Sequence, residues 1–159
     1  MTIQVRELAE GDRDGLRGLI KDVYREMPEA MNFRSSPTEE EISHLIDRKL
    51  EGLRMDALTD FVTLEDGRVV ADCEAVLDGE GGAVLGLIVD KGRRRMGLGR
   101  LLVERCEGRL RELGARYVRV QVMRSNGAAI ALFSNLGFAE VKEGAEEDKL
   151  LMRKGIGGD

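Results

Sequence analysis

The chain has 159 residues, 42 % of them apolar and 4 % aromatic, with no Trp and a formal net charge of −5. That length suits a single domain with an aliphatic core, and that composition excludes wholesale disorder. The acidic balance argues against a general nucleic-acid binder, and no run approaches the roughly 18 apolar residues that span a bilayer.

In chain order, Ile3–Glu7 alternates and predicts a first strand. From Asp12 a helical pattern places Leu16, Leu19, Ile20 and Val23 on one face and ends near Met27-Pro28. A loop over 28–36 follows, with Met27, Met31 and Phe33 as an apolar lip. Ser36-Pro37-Thr38-Glu39 predicts a helix start: Ser36 caps, Pro37 takes the first helical position and Glu39 completes a capping box. This second helix carries Ile42, Leu45, Ile46, Lys49, Leu50 and Leu53. The run Glu39-Glu40-Glu41 suits its positive N-terminal end.

Phe61–Leu64 and Val69–Leu77 predict strands joined by the hairpin turn Glu65-Asp66-Gly67-Arg68. Ala83–Val89 is an apolar strand that runs into a basic turn, Lys91-Gly92-Arg93-Arg94-Arg95, then Met96-Gly97-Leu98-Gly99. A helix from Gly97 to Leu113 follows, burying Leu101, Leu102, Cys106, Leu110 and Leu113, and Gly114 stops it. Tyr117–Met123 is a strand with Val118, Val120 and Val122 on one face. A helix runs from about Gly127 to Leu136, with Asn126 or Ser125 as its cap. Phe138–Lys142 and Lys149–Arg153 close the domain, which is expected over 1–154 with a disordered tail at 155–159.

The strand, basic turn, Gly-x-Gly and helix form an anion site, because helix N-terminal amides point outward and glycines admit close approach. The dinucleotide fingerprint is excluded by Leu102 at its third glycine, and a Walker A loop by the absence of Gly-Lys-Ser/Thr. Arg94-Arg95-Met96-Gly97-Leu98-Gly99 instead resembles the R/Q-x-x-G-x-G/A loop of the GCN5-related N-acetyltransferases, the GNAT superfamily. The segment Asn126-Gly127-Ala128-Ala129-Ile130-Ala131-Leu132-Phe133, followed by Gly137-Phe138, is similar to that superfamily's second signature. The frame around Ser125–Phe138 also resembles, in part, the ribosomal-protein alanine N-acetyltransferases.

The resemblance implies an α/β (α+β) fold: a central mixed, mostly antiparallel, twisted sheet of about seven strands flanked by four helices. It implies acetyl-CoA as cosubstrate, no metal, and direct transfer of acetyl to a primary amine of a protein or small molecule. By the same resemblance, the backbone of Arg95, Met96, Gly97, Leu98, Gly99 and Arg100 cradles the pyrophosphate, and the side chains of Arg94 and Arg100 add charge. Leu87, Ile88 and Val89 pair with the pantetheine arm as an added strand. Asn126 serves the arm or the acceptor side, and Ala129 and Phe133 line the cosubstrate face of their helix.

The chain departs from the pattern in its catalytic groups. Phe133 stands where relatives often hold a proton-donating Tyr, Gln121 where the ribosomal-protein subfamily holds a Glu, and Ala83–Val89 contains no acid. Three candidates remain for the base: Asp72 or Glu74, two residues apart on one face of a central strand; His44; or a water relay without a dedicated base. Glu74 is the first choice, with Asn126 as its companion. Tyr24 replaces the missing acid only if the first helix overhangs the thioester. The alternative to an enzyme is a GNAT-fold module that holds acyl-CoA as a sensor without turnover.

Cys73 and Cys106 are expected as buried free thiols, in keeping with a reducing cytoplasm, and a single His makes a Cys/His zinc site untenable. The expected partners are acetyl-CoA and an amine acceptor, with no nucleic acid and no membrane; a homodimer is compatible with the sequence.

Overall fold

The computed structural model describes every residue except Met1, Glu29, Ala30, Asn32, Arg34, Arg95, Glu143, Ala145, Gly158 and Asp159. Its elements are β1 (Ile3–Glu7), α1 (Arg13–Glu26), α2 (Glu39–Arg54), β2 (Leu58–Glu65), β3 (Arg68–Leu77), β4 (Gly82–Val89), α3 (Leu98–Glu112), β5 (Tyr117–Met123), α4 (Gly127–Asn135), β6 (Ala139–Val141) and β7 (Lys149–Gly155). The seven strands form one sheet in the order β1-β2-β3-β4-β5-β7-β6. Every neighbouring pair is antiparallel except β4 and β5.

Two apolar clusters sandwich the sheet, because strand residues alternate between its faces. In one, Leu16, Leu19 and Ile20 of α1 and Ile42, Ile46 and Leu50 of α2 pack on Val62, Leu64 and Val69. In the other, Leu102, Cys106 and Leu110 of α3 and Phe133 of α4 pack on Cys73, Ala75, Leu85, Val118 and Val120. The β2–β3 hairpin turns through Asp66 and Gly67, both at positive φ, as a two-residue primed turn requires. Cys73 and Cys106 are free and buried, and the Cys106 thiol donates to the Cys73 carbonyl at 3.4 Å.

Four details differ from the sequence reading. The cap of α2 is Thr38, not Ser36: Glu41 N–H donates to Thr38 Oγ1 at 3.1 Å, and Thr38 N–H to Glu41 Oε1 at 3.0 Å. Both registers satisfy the S/T-x-x-E spacing, and the later one keeps Glu39, Glu40 and Glu41 together in the first turn. β2 begins at Leu58, three residues before Phe61, because Thr59 and Asp60 are fully buried polar residues that hide the strand from a hydropathy reading. Leu101 is exposed at 42 % and Leu113 is only half-buried, since the buried stripe of α3 runs through Leu98, Leu102, Cys106 and Leu110. Finally, Gly155 ends β7, and Ile156 is buried with its N–H on the Arg116 carbonyl. The strand and this bond thus extend beyond the expected domain end at residue 154; Gly158 and Asp159 lie outside the described residues.

Candidate functional site

β4 and β5 run in parallel for only four residue pairs, from Gly82↔Tyr117 to Leu85↔Val120, and then part. The closed end of this fork is clasped by Asp78. Its Oδ1 accepts from the amides of Glu80 and Gly82, and its Oδ2 from the Tyr117 hydroxyl and the Arg119 guanidinium. Those donors hold the Asp78 carboxyl below the usual range.

Beyond Leu85 the open fork encloses a cavity of about 230 Å³. Leu87, Asn126, Ala129 and Phe133, four of the expected cosubstrate residues, line it together with Gln121 and Lys149. Asn126 Oδ1 accepts from Ala129 N–H at 3.1 Å, so the side chain caps α4 while it lines the fork. Phe133 is buried and stacks edge-to-face on Phe138 at 5.2 Å. Tyr24 stacks on Phe33, outside the fork lining.

At the end of β4 the chain enters the basic turn. Arg94 Nε donates to the Val89 carbonyl at 3.2 Å, and its guanidinium also pairs with Glu26 of α1, which fixes the turn to the helical layer. Arg93 pairs with Glu65 of β2. Arg95, expected in the cradle, lies outside the described residues. Met96 is exposed, and Gly97 adopts φ +78° immediately before α3, a conformation that favours glycine. The first bond of the α3 ladder joins Leu101 N–H to the Gly97 carbonyl at 3.2 Å. The amides of Leu98, Gly99 and Arg100 therefore stand ahead of the ladder at the positive end of the helix.

The side chain of Leu98 turns into the core, so its contribution to such a cradle is backbone only. A Cβ on Gly99 would meet Leu132 at 3.1 Å and Leu87 at 3.2 Å, both fork-lining residues. Gly99 thus brings α3 close to the fork, in addition to any role at the anion. Arg100 makes an exposed ion pair with Glu104 at 2.9 Å.

On the other side of β4 lies a larger cavity of about 720 Å³. Gly86, Leu87 and Ile88 form one wall, Asp72 and Glu74 belong to its floor, and Ile20, Met31 and Phe33 make an apolar side. Glu41, His44, Leu45, Arg48 and Lys49 bring one face of α2 to it. Glu74 sits opposite Gly86 in the β3–β4 register, so the first-choice base stands beside the strand shared by both cavities.

Sequence reasoning missed Lys49 and Asp60. The Lys49 ammonium donates to Asp60 Oδ2 at 2.8 Å and to Asp72 Oδ2 at 3.1 Å, and lies 3.2 Å from Glu74 Oε1. Burial works against its charge. The carboxylates of Asp72, Asp60 and Glu74 together overcome that and hold it well above the usual lysine range. Burial first, and then the Asp72 carboxylate, push the Asp60 carboxyl well above the usual range. One signal was available: Lys49 shares the helical face of Ile42, Ile46 and Leu50.

The model of the acetyltransferase (GNAT) family matches residues 20–138. The chain is 35 % identical over 82 residues to the [ribosomal protein bS18]-alanine N-acetyltransferase of Escherichia coli (strain K12), covering 50 % of this chain and 54 % of that protein. It thus spans about half the length of the curated relatives it matches. Among solved structures, the PaiA N-acetyltransferase of Thermoplasma acidophilum, in complex with coenzyme A, superposes with TM-score 0.79 at 17 % identity, over 98 % of this chain and 99 % of that one. The yncA protein of Salmonella typhimurium, with its cofactor acetyl-CoA, superposes with TM-score 0.78 at 19 % identity, over 98 % and 95 %. The seven-stranded sheet and four helices described above are the fold these structures share with the chain.

Proposed function

The chain belongs to the GNAT family of acetyltransferases, and from that premise we propose that it is an acetyl-CoA-dependent N-acetyltransferase that passes acetyl directly to a primary amine. One observation carries the reading: the fork between β4 and β5 opens beside the free amides of α3 and shares β4 with a second cavity that holds an acid. The residues fit the cosubstrate. The amides of Leu98, Gly99 and Arg100 suit a pyrophosphate, and the unpaired edge of β4 from Gly86 to Val89 suits an arm bearing amides. Arg94 orders the turn from within, through Val89 and Glu26.

Bound acetyl-CoA supplies a thioester carbon open to attack by a neutral amine. The acceptor occupies the larger cavity, and Glu74 takes the proton that an ammonium group must lose before it attacks. A β4 amide within Leu87–Val89 meets the charge that gathers on the thioester oxygen. Asn126 borders the fork and fixes the start of α4. Phe133 offers no proton, so the thiolate leaves without a tyrosine donor there. A protein N-terminus and a small primary amine are the acceptor classes to screen, the first because the matched relative is a [ribosomal protein bS18]-alanine N-acetyltransferase. The buried free thiols support a reducing, cytoplasmic setting.

Buried Phe133 at the usual donor position favours a second reading, in which the domain holds acyl-CoA as a sensor without turnover. A thiol-release assay over a panel of amines separates the two. Glu74→Gln is expected to abolish most turnover while CoA affinity stays unchanged. Thermal stabilisation by CoA with no thiol release from any amine supports the sensor, and no CoA binding at millimolar concentration removes both readings.

A further inference from the structure

Three carboxyl groups surround one buried ammonium group. Asp60 and Asp72 are 0 % and 3 % exposed, and Lys49 is 5 % exposed. Glu74 differs from the other two acids, because a fifth of its side chain is exposed and it reaches the larger cavity. Its contact with Lys49 also differs. Asp60 Oδ2 and Asp72 Oδ2 each accept a hydrogen bond from the ammonium, whereas Glu74 Oε1 is held by charge at 3.2 Å and accepts no hydrogen bond.

Burying a cluster of charges is costly, and apolar residues in place of the whole cluster often stabilise a fold as well or better. The arrangement therefore calls for a role besides stability. We propose that Lys49 is the positioning residue of the acceptor site: anchored by Asp60 and Asp72, it holds the Glu74 carboxylate beside Gly86 through its buried Oε1 and leaves the other oxygen, Oε2, for the acceptor amine. The proposal rests on the reading of Glu74 as base.

The geometry supports it from three elements. α2 delivers Lys49, β2 delivers Asp60, and β3 delivers Asp72 and Glu74 from one face. Asp60 and Glu74 are directly opposite in the β2–β3 register, so the anchor and the working carboxylate are neighbours by backbone pairing. Among the described residues, the remaining charged and titratable groups on this cavity are Glu41, His44 and Arg48, all exposed residues of α2.

The test uses the full chain and two variants. Lys49→Met alone would strand buried acids, so it is paired with Asp60→Asn, which removes one of them. The double variant is expected to keep its thermal stabilisation by CoA and its KM for acetyl-CoA. Its kcat should fall by about 10²-fold, the loss that a displacement of roughly 1 Å can produce. Its KM for the amine should change less than its kcat, because Lys49 acts on the acceptor only through Glu74. Lys49→Arg keeps the charge but shifts the head group, so kcat should fall less than in the double variant. Wild-type kcat, in whichever variant folds, overturns the proposal. Full activity in Glu74→Gln would instead sink the base reading itself, and the two failures are distinct.

Discussion

Asp12 and Asp60 are both buried acids, and they answer to pH in opposite directions. Asp12 accepts two bonds from Arg6, at 2.7 and 2.8 Å, and one from the Ala9 amide at 2.8 Å. Burial opposes its charge, but these donors prevail and its carboxyl lies below the usual range. Its contribution to stability is present above the ordinary carboxylate range and drains away as pH falls through the lowered value. Asp60 is held above that range, so the folded state keeps a proton that the unfolded chain gives up. Its contribution is full below the ordinary range and is lost as pH rises through the raised value. Urea titrations over pH should therefore show Asp12→Ala costing about 2 kcal/mol at neutral pH and little in strong acid. Asp60→Asn should flatten the decline on the alkaline side of the ordinary carboxylate range. The sequence offered uneven signals for these residues. Glu74 was visible because an acid on a central strand is conspicuous, whereas Asp60 stood outside the strand as read and Lys49 stood among the apolar residues of its helix with no role of its own.

Among the elements, the start of α3 bears most directly on binding. Gly97 takes a positive φ there with no side chain crowding it, so the demand is conformational. Gly97→Ala should cost about 1–2 kcal/mol in stability and weaken CoA more than it weakens folding, since the strain sits under the free amides. Calorimetric titration with CoA beside thermal melts checks both. Most elements could be read from periodicity, and α3, β5 and α4 fall within a residue or so of their expected bounds. The start of β2 could not, because Thr59 and Asp60 pair with Ala75 and Glu74 inside the sheet and no local pattern reveals that partner. The α2 cap was ambiguous for a different reason: two serine/threonine-to-glutamate pairs overlap there.

At the scale of the molecule, acetyl-CoA at a hundred-fold excess over Kd should add about 2.7 kcal/mol to stability, a rise of several degrees for a domain of this size. Among the described residues no helix is long and apolar enough to cross a membrane. The global topology was legible only through two short signatures, since alternation predicts strands but not which of them lie parallel. The parting of β4 from β5 was invisible to patterning, because β5 continues to alternate past Val120 and β4 stays apolar past Leu85.

That parting makes the two halves of the sheet meet along four residue pairs, with the inward backbone edges beyond them unpaired. Deuterium exchange turns this into a clock for each amide. The N–H groups of Gly86–Val89 and Gln121–Met123 that face the gap should label quickly in the free protein, while their outward-facing neighbours, bonded to β3 and β7, label slowly. Adding CoA should slow the fast set on β4 alone, one strand edge registering the arrival of a partner that the other never pairs with.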